Sequence, residues 1–311
     1  MSFEEIAGLL AAACWATGSY LFSRIDAPAT ALNLGKNVFA GTLLVLSLPF
    51  VGSGLAAWQG ATTTDYTFLI LSGIVGILIG DSAYFRSIQI LGPRRALVLT
   101  TLTPPVSALI GWFWLAEVLE AGQILGMTVT LVGVFVVIRD QRLASDRGKF
   151  REGKVVDGIL LGVLAALCQA SGIALSKVVM MSSLGALEVS AVRISTAVIG
   201  GLIFAAGVGQ LKSWTAPIKD WKIAPKLLIA SFIGTYLGIW LSHVSVDAIS
   251  LAVATTQMSM TPVFMVLIVA VALRQKMALL AFGGVMLAVA GVALLMMPQL
   301  ATRLIHQTFG G

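Results

Sequence analysis

Gly8-Leu9-Leu10-Ala11-Ala12-Ala13-Cys14-Trp15-Ala16-Thr17-Gly18 aligns without a gap on Gly162-Val163-Leu164-Ala165-Ala166-Leu167-Cys168-Gln169-Ala170-Ser171-Gly172, 154 residues later. Further along, Gly76, Gly80, Thr103-Pro104, Gly126 and Gly133 return as Gly234, Gly238, Thr261-Pro262, Gly284 and Gly291, each 158 residues on. The same small residues in the same order mean one unit present twice. Between these landmarks, apolar stretches fall near 6–23, 29–50, 67–87, 95–115, 121–138, 156–177, 187–208, 226–245, 249–272 and 277–297. A bilayer core takes about 20 apolar residues per crossing helix, so each copy supplies five crossings. An odd number of crossings delivers the second copy to the membrane from the opposite side. The expected fold is therefore an all-α integral membrane protein of ten transmembrane helices, built as two inverted-topology five-helix repeats. The boundaries read as 1–139 and 155–298 for the repeats, a charged connector at 140–154, and a tail at 299–311.

Composition points the same way. The 311 residues are 58% hydrophobic and 11% charged, against about 25% charged in soluble domains, which excludes a soluble enzyme. The net charge of +6 does not imply a nucleic-acid partner, because the basic residues sit in short connectors and form no single polar face. Of the 20 basic residues, 16 fall in the odd-numbered connectors: Arg24; Arg86, Arg94 and Arg95; Arg139, Arg142, Arg147, Lys149, Arg151 and Lys154; Lys212, Lys219, Lys222 and Lys226; Arg274 and Lys276. By the positive-inside rule these connectors face the cytoplasm and both termini face outward. The two cysteines, Cys14 and Cys168, lie within apolar helices and build neither a disulfide framework nor a spaced metal site; no metal or cofactor is expected. Met1-Ser2-Phe3-Glu4-Glu5 is acidic where a secretory signal is basic, so the run behind it reads as the first helix.

Inverted repeats are a recurring architecture of secondary transporters, whose substrate site lies near the midplane at the repeat interface. Several residues also carry a family resemblance. Trp15-Ala16-Thr17-Gly18 marks the first helix, Lys36 and Arg193 stand early in the second helix of each half, and Thr-Pro recurs in each fourth helix. Leu115-Ala116-Glu117 precedes Gly126 and Gly133. In this order, across all ten spans, the chain resembles the drug/metabolite transporter superfamily in its form with two EamA domains. The resemblance implies a ten-helix basket around a central cavity that moves small polar or amphipathic metabolites, amino acids or drugs, with both termini inside, opposite to the charge count. The chain departs from the family at Lys36, where Arg is commoner, at Ala116, where Leu-Gly-Glu is usual, and at Leu273-Arg274-Gln275, where an acid is expected.

Charges inside a bilayer need a partner or a wet cavity. Lys36 and Arg193 read either as snorkelling cations or as a symmetry-related pair facing the cavity and attracting a carboxylate or phosphate. Asp81, one turn from Tyr84 with Arg86 as its nearest cation, reads as a structural ion pair or a proton-coupling carboxylate. His243 reads as a proton carrier or a simple hydrogen-bonding group. Pro104, Pro105 and Pro262 remove backbone donors in mid-helix, so Thr100, Thr101, Thr103, Thr256, Gln257 and Thr261 are expected to line the cavity and serve freed carbonyls. Trp15, Ser19, Gln169 and Trp240 are further cavity candidates, whereas Trp112 and Trp114 read as interface anchors. Glu117, Glu120 and Glu188 read as local helix-end charges.

No HExxH, P-loop or GxSxG motif is present, so no enzymatic activity is expected. The function expected is a secondary transporter working by alternating access, an exporter in the prokaryotic inner membrane, monomeric or homodimeric, in contact with a small-molecule substrate and membrane lipids, with proton coupling through Asp81 or His243. A flippase of a lipid-linked substrate and a channel or uniporter are the competing readings.

Overall fold

The computed structural model describes residues 2–91, 93–140, 154–272, 274 and 278–297. Most of the 140–154 connector and all of the 299–311 tail lie outside the described residues. Among the described residues, ten helices are long and apolar enough to cross a membrane: α1 (Phe3–Phe22), α2 (Thr30–Val51), α3 (Thr63–Leu91), α4 (Ala96–Trp114), α5 (Ala121–Arg139), α6 (Val155–Met180), α7 (Ala186–Gly207), α8 (Ala224–Ala248), α9 (Leu251–Ala272) and α10 (Leu279–Met296). Short helices at Leu55–Gly60 and Leu211–Lys219 lie between α2 and α3 and between α7 and α8. Many large apolar side chains stand outward along the spans, Phe113 and Leu279 at 75% and 86% exposure among them, the inverse of a water-soluble surface and suited to lipid.

The inversion is written in the helix contacts. Thr130 packs on Gly291, Gly133 on Ala288, Gly126 on Leu295 and Val137 on Gly284, so the residue numbers of each pair sum to 421. A constant sum means that α5 and α10, which are counterparts in the two repeats, run antiparallel. The counterparts α2 and α7 do the same, with Gly41 on Ile194 and Leu34 on Gly201. The remaining close crossings come as a symmetric set. Gly18 of α1 meets Gly234 of α8, and Gly172 of α6 meets Gly76 of α3; Gly8 faces Ser245 and Gln257, while Gly162 faces Ser87 and Leu99. Each contact in one half is the other's image under the offsets found in the sequence.

Both copies carry the same irregularities. α3 contains a π-helical stretch at Gly73–Ile79, and α8 contains one at Phe232–Leu237, each at the glycine crossing, where the wider turn re-aims the residues that follow. The fourth helix of each half breaks before its Thr-Pro: Pro93–Thr100 is followed by Thr103–Trp114, and Leu251–Met258 by Thr261–Ala272. Hydroxyls bond carbonyls at the breaks: Thr100 donates to Leu97 and Thr101 to Val98, at 2.8 and 2.6 Å, and Thr261 donates at 2.8 Å to Met258, whose carbonyl Pro262 leaves without its helical donor.

The α5–α10 seam has no room for a side chain at Gly133, whose added Cβ would run into the backbone of Ala288. Gly133→Val is expected to lower the thermal midpoint of the detergent-purified protein by an amount worth about 1–3 kcal/mol. Gly283→Ala, on the same helix pair but with nothing within 4 Å of the new methyl, is expected to leave it unchanged.

Candidate functional site

A cavity of about 620 Å³ opens between the two halves, within the size range of small-molecule sites. α1, α2, α3 and α4 of the first repeat line it together with α6, α7, α8 and α9 of the second. Its lining runs from Arg193, His243 and Thr255 in the interior outward to Phe22, Ser23 and Leu32 at the α1–α2 connector, so it reaches the membrane face that carries the odd-numbered connectors. Most of the wall is apolar, with Trp15, Phe22, Ile77, Phe85, Ile173 and Met258 contributing.

Two polar clusters interrupt that wall. In the first, Lys36 of α2 pairs with Asp81 of α3, Nζ to Oδ2 at 3.6 Å, and Lys36 also donates to Asn37 Oδ1 at 3.1 Å. Arg86, the partner expected from sequence, instead donates to Gln89 at 2.9 Å; it follows Asp81 by five residues, off its helix face, whereas Lys36 arrives from a neighbouring helix. In the second cluster, Arg193 Nη1 meets His243 Nε2 and donates to Ser176 Oγ at 3.3 Å. The imidazole has one protonation pattern that fits its neighbours. Nδ1 lies 2.9 Å from both the Ile239 carbonyl and Ser190 Oγ, and Ser190 has already given its own proton to the Ala186 carbonyl. Both groups can only accept, so Nδ1 carries the hydrogen. The guanidinium can only donate, so Nε2 must accept, and the ring is neutral.

The sequence matches the EamA-like transporter family over residues 2–139 and again over 156–297. The chain belongs to that family. A protein solved by crystallography, 16% identical over 94% of this chain and 96% of its own, superposes with a TM-score of 0.74 and shares the fold. No curated protein matches the sequence.

In this EamA-like transporter Trp15, Ser19, Lys36, Asp81, Tyr84, Thr100, Thr101, Thr103, Gln169, Arg193, His243 and Thr261 all line the one cavity, as does Pro262. Three residues expected there do not. Trp240 turns away to pack on the Leu44–Ile194 cluster and Tyr236. Thr256 is fully buried and donates to Ala252, and Gln257 donates to the Glu5 carbonyl in the first turn of α1 at 2.8 Å. One helical turn presents different faces at 255 and 256, and the apolar pattern of α9 gives no phase to tell them apart. Pro104 is buried, and neither it nor Pro105 lines the cavity.

The opposite membrane face holds a cluster that sequence reasoning took for local helix-end charge. Lys177, at the end of α6, lies 2.6 Å from Glu117 Oε1 and donates to the Ile249 carbonyl at 2.6 Å, while Glu117 Oε2 accepts from Leu251 N, the first turn of α9, at 2.8 Å. Both charged side chains are largely buried, at 8% and 14% exposure. Gly111 leaves the space that the Glu117 carboxylate fills. Ala116 is left-handed, φ 54°, as is its counterpart Arg274, φ 49°, which accounts for the family's glycine at this point of Leu-x-Glu. Glu188 is likewise not local: it accepts from the backbone of Ser53 at the end of α2.

The Lys36–Asp81 pair gives a measurable coupling. Lys36→Met and Asp81→Asn are each expected to destabilise the purified protein, and the double variant to recover about 0.5–3 kcal/mol relative to the sum of the singles. Thermal unfolding of the four proteins closes the cycle.

Proposed function

We propose that this EamA-like transporter is a secondary carrier that exports small polar or amphipathic metabolites, amino-acid-like compounds among them, across a prokaryotic inner membrane by alternating access. One observation carries the reading: a cavity at the interface of two inverted repeats reaches one membrane face while a buried ion pair ties the helices together across the other. In an inverted pair, exchanging the conformations of the two halves converts a cavity open on one face into a cavity open on the other. The Lys177–Glu117 latch, which joins α6, the α4–α5 turn and the start of α9, must then part on each cycle. Its counterparts under the repeat offsets are Ser23 and Gln275 in the sequence, which carry no charge. The two closures are therefore unequal, and the latched conformation is the favoured resting state. The charge count makes the open face cytoplasmic, which suits loading from inside the cell. The cavity is complete within one chain, so a monomer suffices and a homodimer carries two.

Asp81 is our candidate for proton coupling, because protonation would discharge its pair with Lys36 and free a cation at the cavity wall. His243 is not retained in that role, since both of its ring nitrogens are committed to partners that fix it neutral.

A metabolite depleted from cells overexpressing the protein, then loaded into proteoliposomes, is expected to show saturable counterflow; flux rising without saturation would identify a pore and reject the carrier. Asp81→Asn is expected to keep counterflow while losing its response to an imposed pH gradient. For the latch, Ala254→Cys in a Cys14→Ser/Cys168→Ser background places a thiol in the fully buried plug beside Leu251. Adding Glu117→Gln is expected to speed its labelling by an impermeant maleimide at least severalfold; an unchanged rate would mean the latch does not gate that face.

A further inference from the structure

We propose that Arg193 is the anchor for a single oxyanion on the transported molecule, so that the substrate class is an organic anion, a carboxylate or a phosphate ester, carrying an apolar body. The proposal rests on the carrier reading above and specifies what its cavity takes.

The argument is one of charge balance. Lys36 and Asp81 answer one another at 3.6 Å, and Asp81 also attracts Arg193, so two cations share one carboxylate and the cavity wall keeps one positive charge in excess. Arg193 is 4% exposed and lines the same cavity, yet among the described residues no carboxylate stands within 4.0 Å of its guanidinium. Its Nε has no hydrogen-bond partner at all. Guanidinium stays protonated in proteins, and an excess charge at membrane depth is unfavourable. The group beside it, His243, leaves that excess unchanged, because its contacts to the Ile239 carbonyl and to Arg193 fix it as a neutral ring. The imidazole instead holds Nη1 in place, which makes His243 a positioning residue for a guanidinium that lines the cavity. An oxyanion is what such a planar group receives best. The surrounding wall of Trp15, Ile77, Ile173, Ile239 and Met258 offers nothing further to a charge and favours an apolar remainder. A neutral solute would leave the excess charge in place, and a cationic one would add to it.

The test uses the full-length protein in detergent with 3-phenylpropanoate, phenyl phosphate and 3-phenylpropanamide as probes, read by thermal stabilisation. At least one of the two anions is expected to stabilise saturably, and the one that does so assigns carboxylate or phosphate; the amide is expected to need at least tenfold higher concentration. Arg193→Gln is expected to lose the anion response and Arg193→Lys to retain a weaker one. His243→Leu is expected to weaken anion binding about tenfold, as loss of a hydrogen bond to a charged group does, with His243→Gln, whose amide oxygen still accepts, restoring it. The wild-type comparison of acid with amide stands even if a variant fails to fold. Equal stabilisation by the amide, no stabilisation by either anion, or an unchanged anion response in Arg193→Gln would overturn the proposal. Counterflow separates it from the reading it rests on: an anion that binds but is never carried defeats the carrier, whereas saturable counterflow of a neutral compound with no anion binding defeats the anchor alone.

Discussion

Two helix backbones can touch only where neither places a side chain between them. In this EamA-like transporter two crossings beside the cavity meet that condition with glycine against glycine, Gly18 on Gly234 and Gly76 on Gly172. The first crossing holds α1 of one repeat against α8 of the other, and the second holds α6 against α3. Each half is thereby clasped by the other, and the cavity runs beside both crossings, with Gly80 and Gly234 in its wall. A Cβ at any of the four positions would force the halves apart and change the shape of the cavity along with the stability of the protein.

The architecture was legible because it depends on features that repeat along the chain. Eleven aligned residues and a shared 158-residue offset carry the duplication, the odd number of spans carries the inversion, and the proline positions mark where α4 and α9 break. Side-chain partnerships were less legible, for a physical reason. Asp81 pairs with Lys36 and Glu117 with Lys177, and in both cases the partner comes from another helix whose rotation no local pattern fixes. Arg86 and the helix-dipole reading of Glu117 were the nearest local answers to questions with distant solutions. Trp240, Thr256 and Gln257 were misplaced for a related reason: helices that are apolar all round lack the stripe that would set which face looks inward. The sequence signal at Leu115-Ala116-Glu117 was the alanine at a place where the family has glycine, because a non-glycine in the left-handed turn found there has to be held by its surroundings.

Charge is distributed through the membrane interior so that each ionic group has a different kind of answer. Lys177 and Glu117 answer each other and the ends of α8 and α9; Lys36 and Asp81 answer each other at the cavity wall; Arg193 is steadied by neutral groups, Ser176 and His243. The first arrangement binds helices together, the second can be discharged by one proton, and the third leaves a cation facing the cavity. These three arrangements lie at separate places along α6, α3 and α7.

The π-helical turns at Gly73–Ile79 and Phe232–Leu237 occupy equivalent places in both repeats, whereas the Lys177–Glu117 pair has no charged image. A trait held by both copies is what a duplicated five-helix unit hands to each, and one held by a single copy marks where the copies have diverged. The two ends of the molecule are thus alike in backbone and unlike in charge.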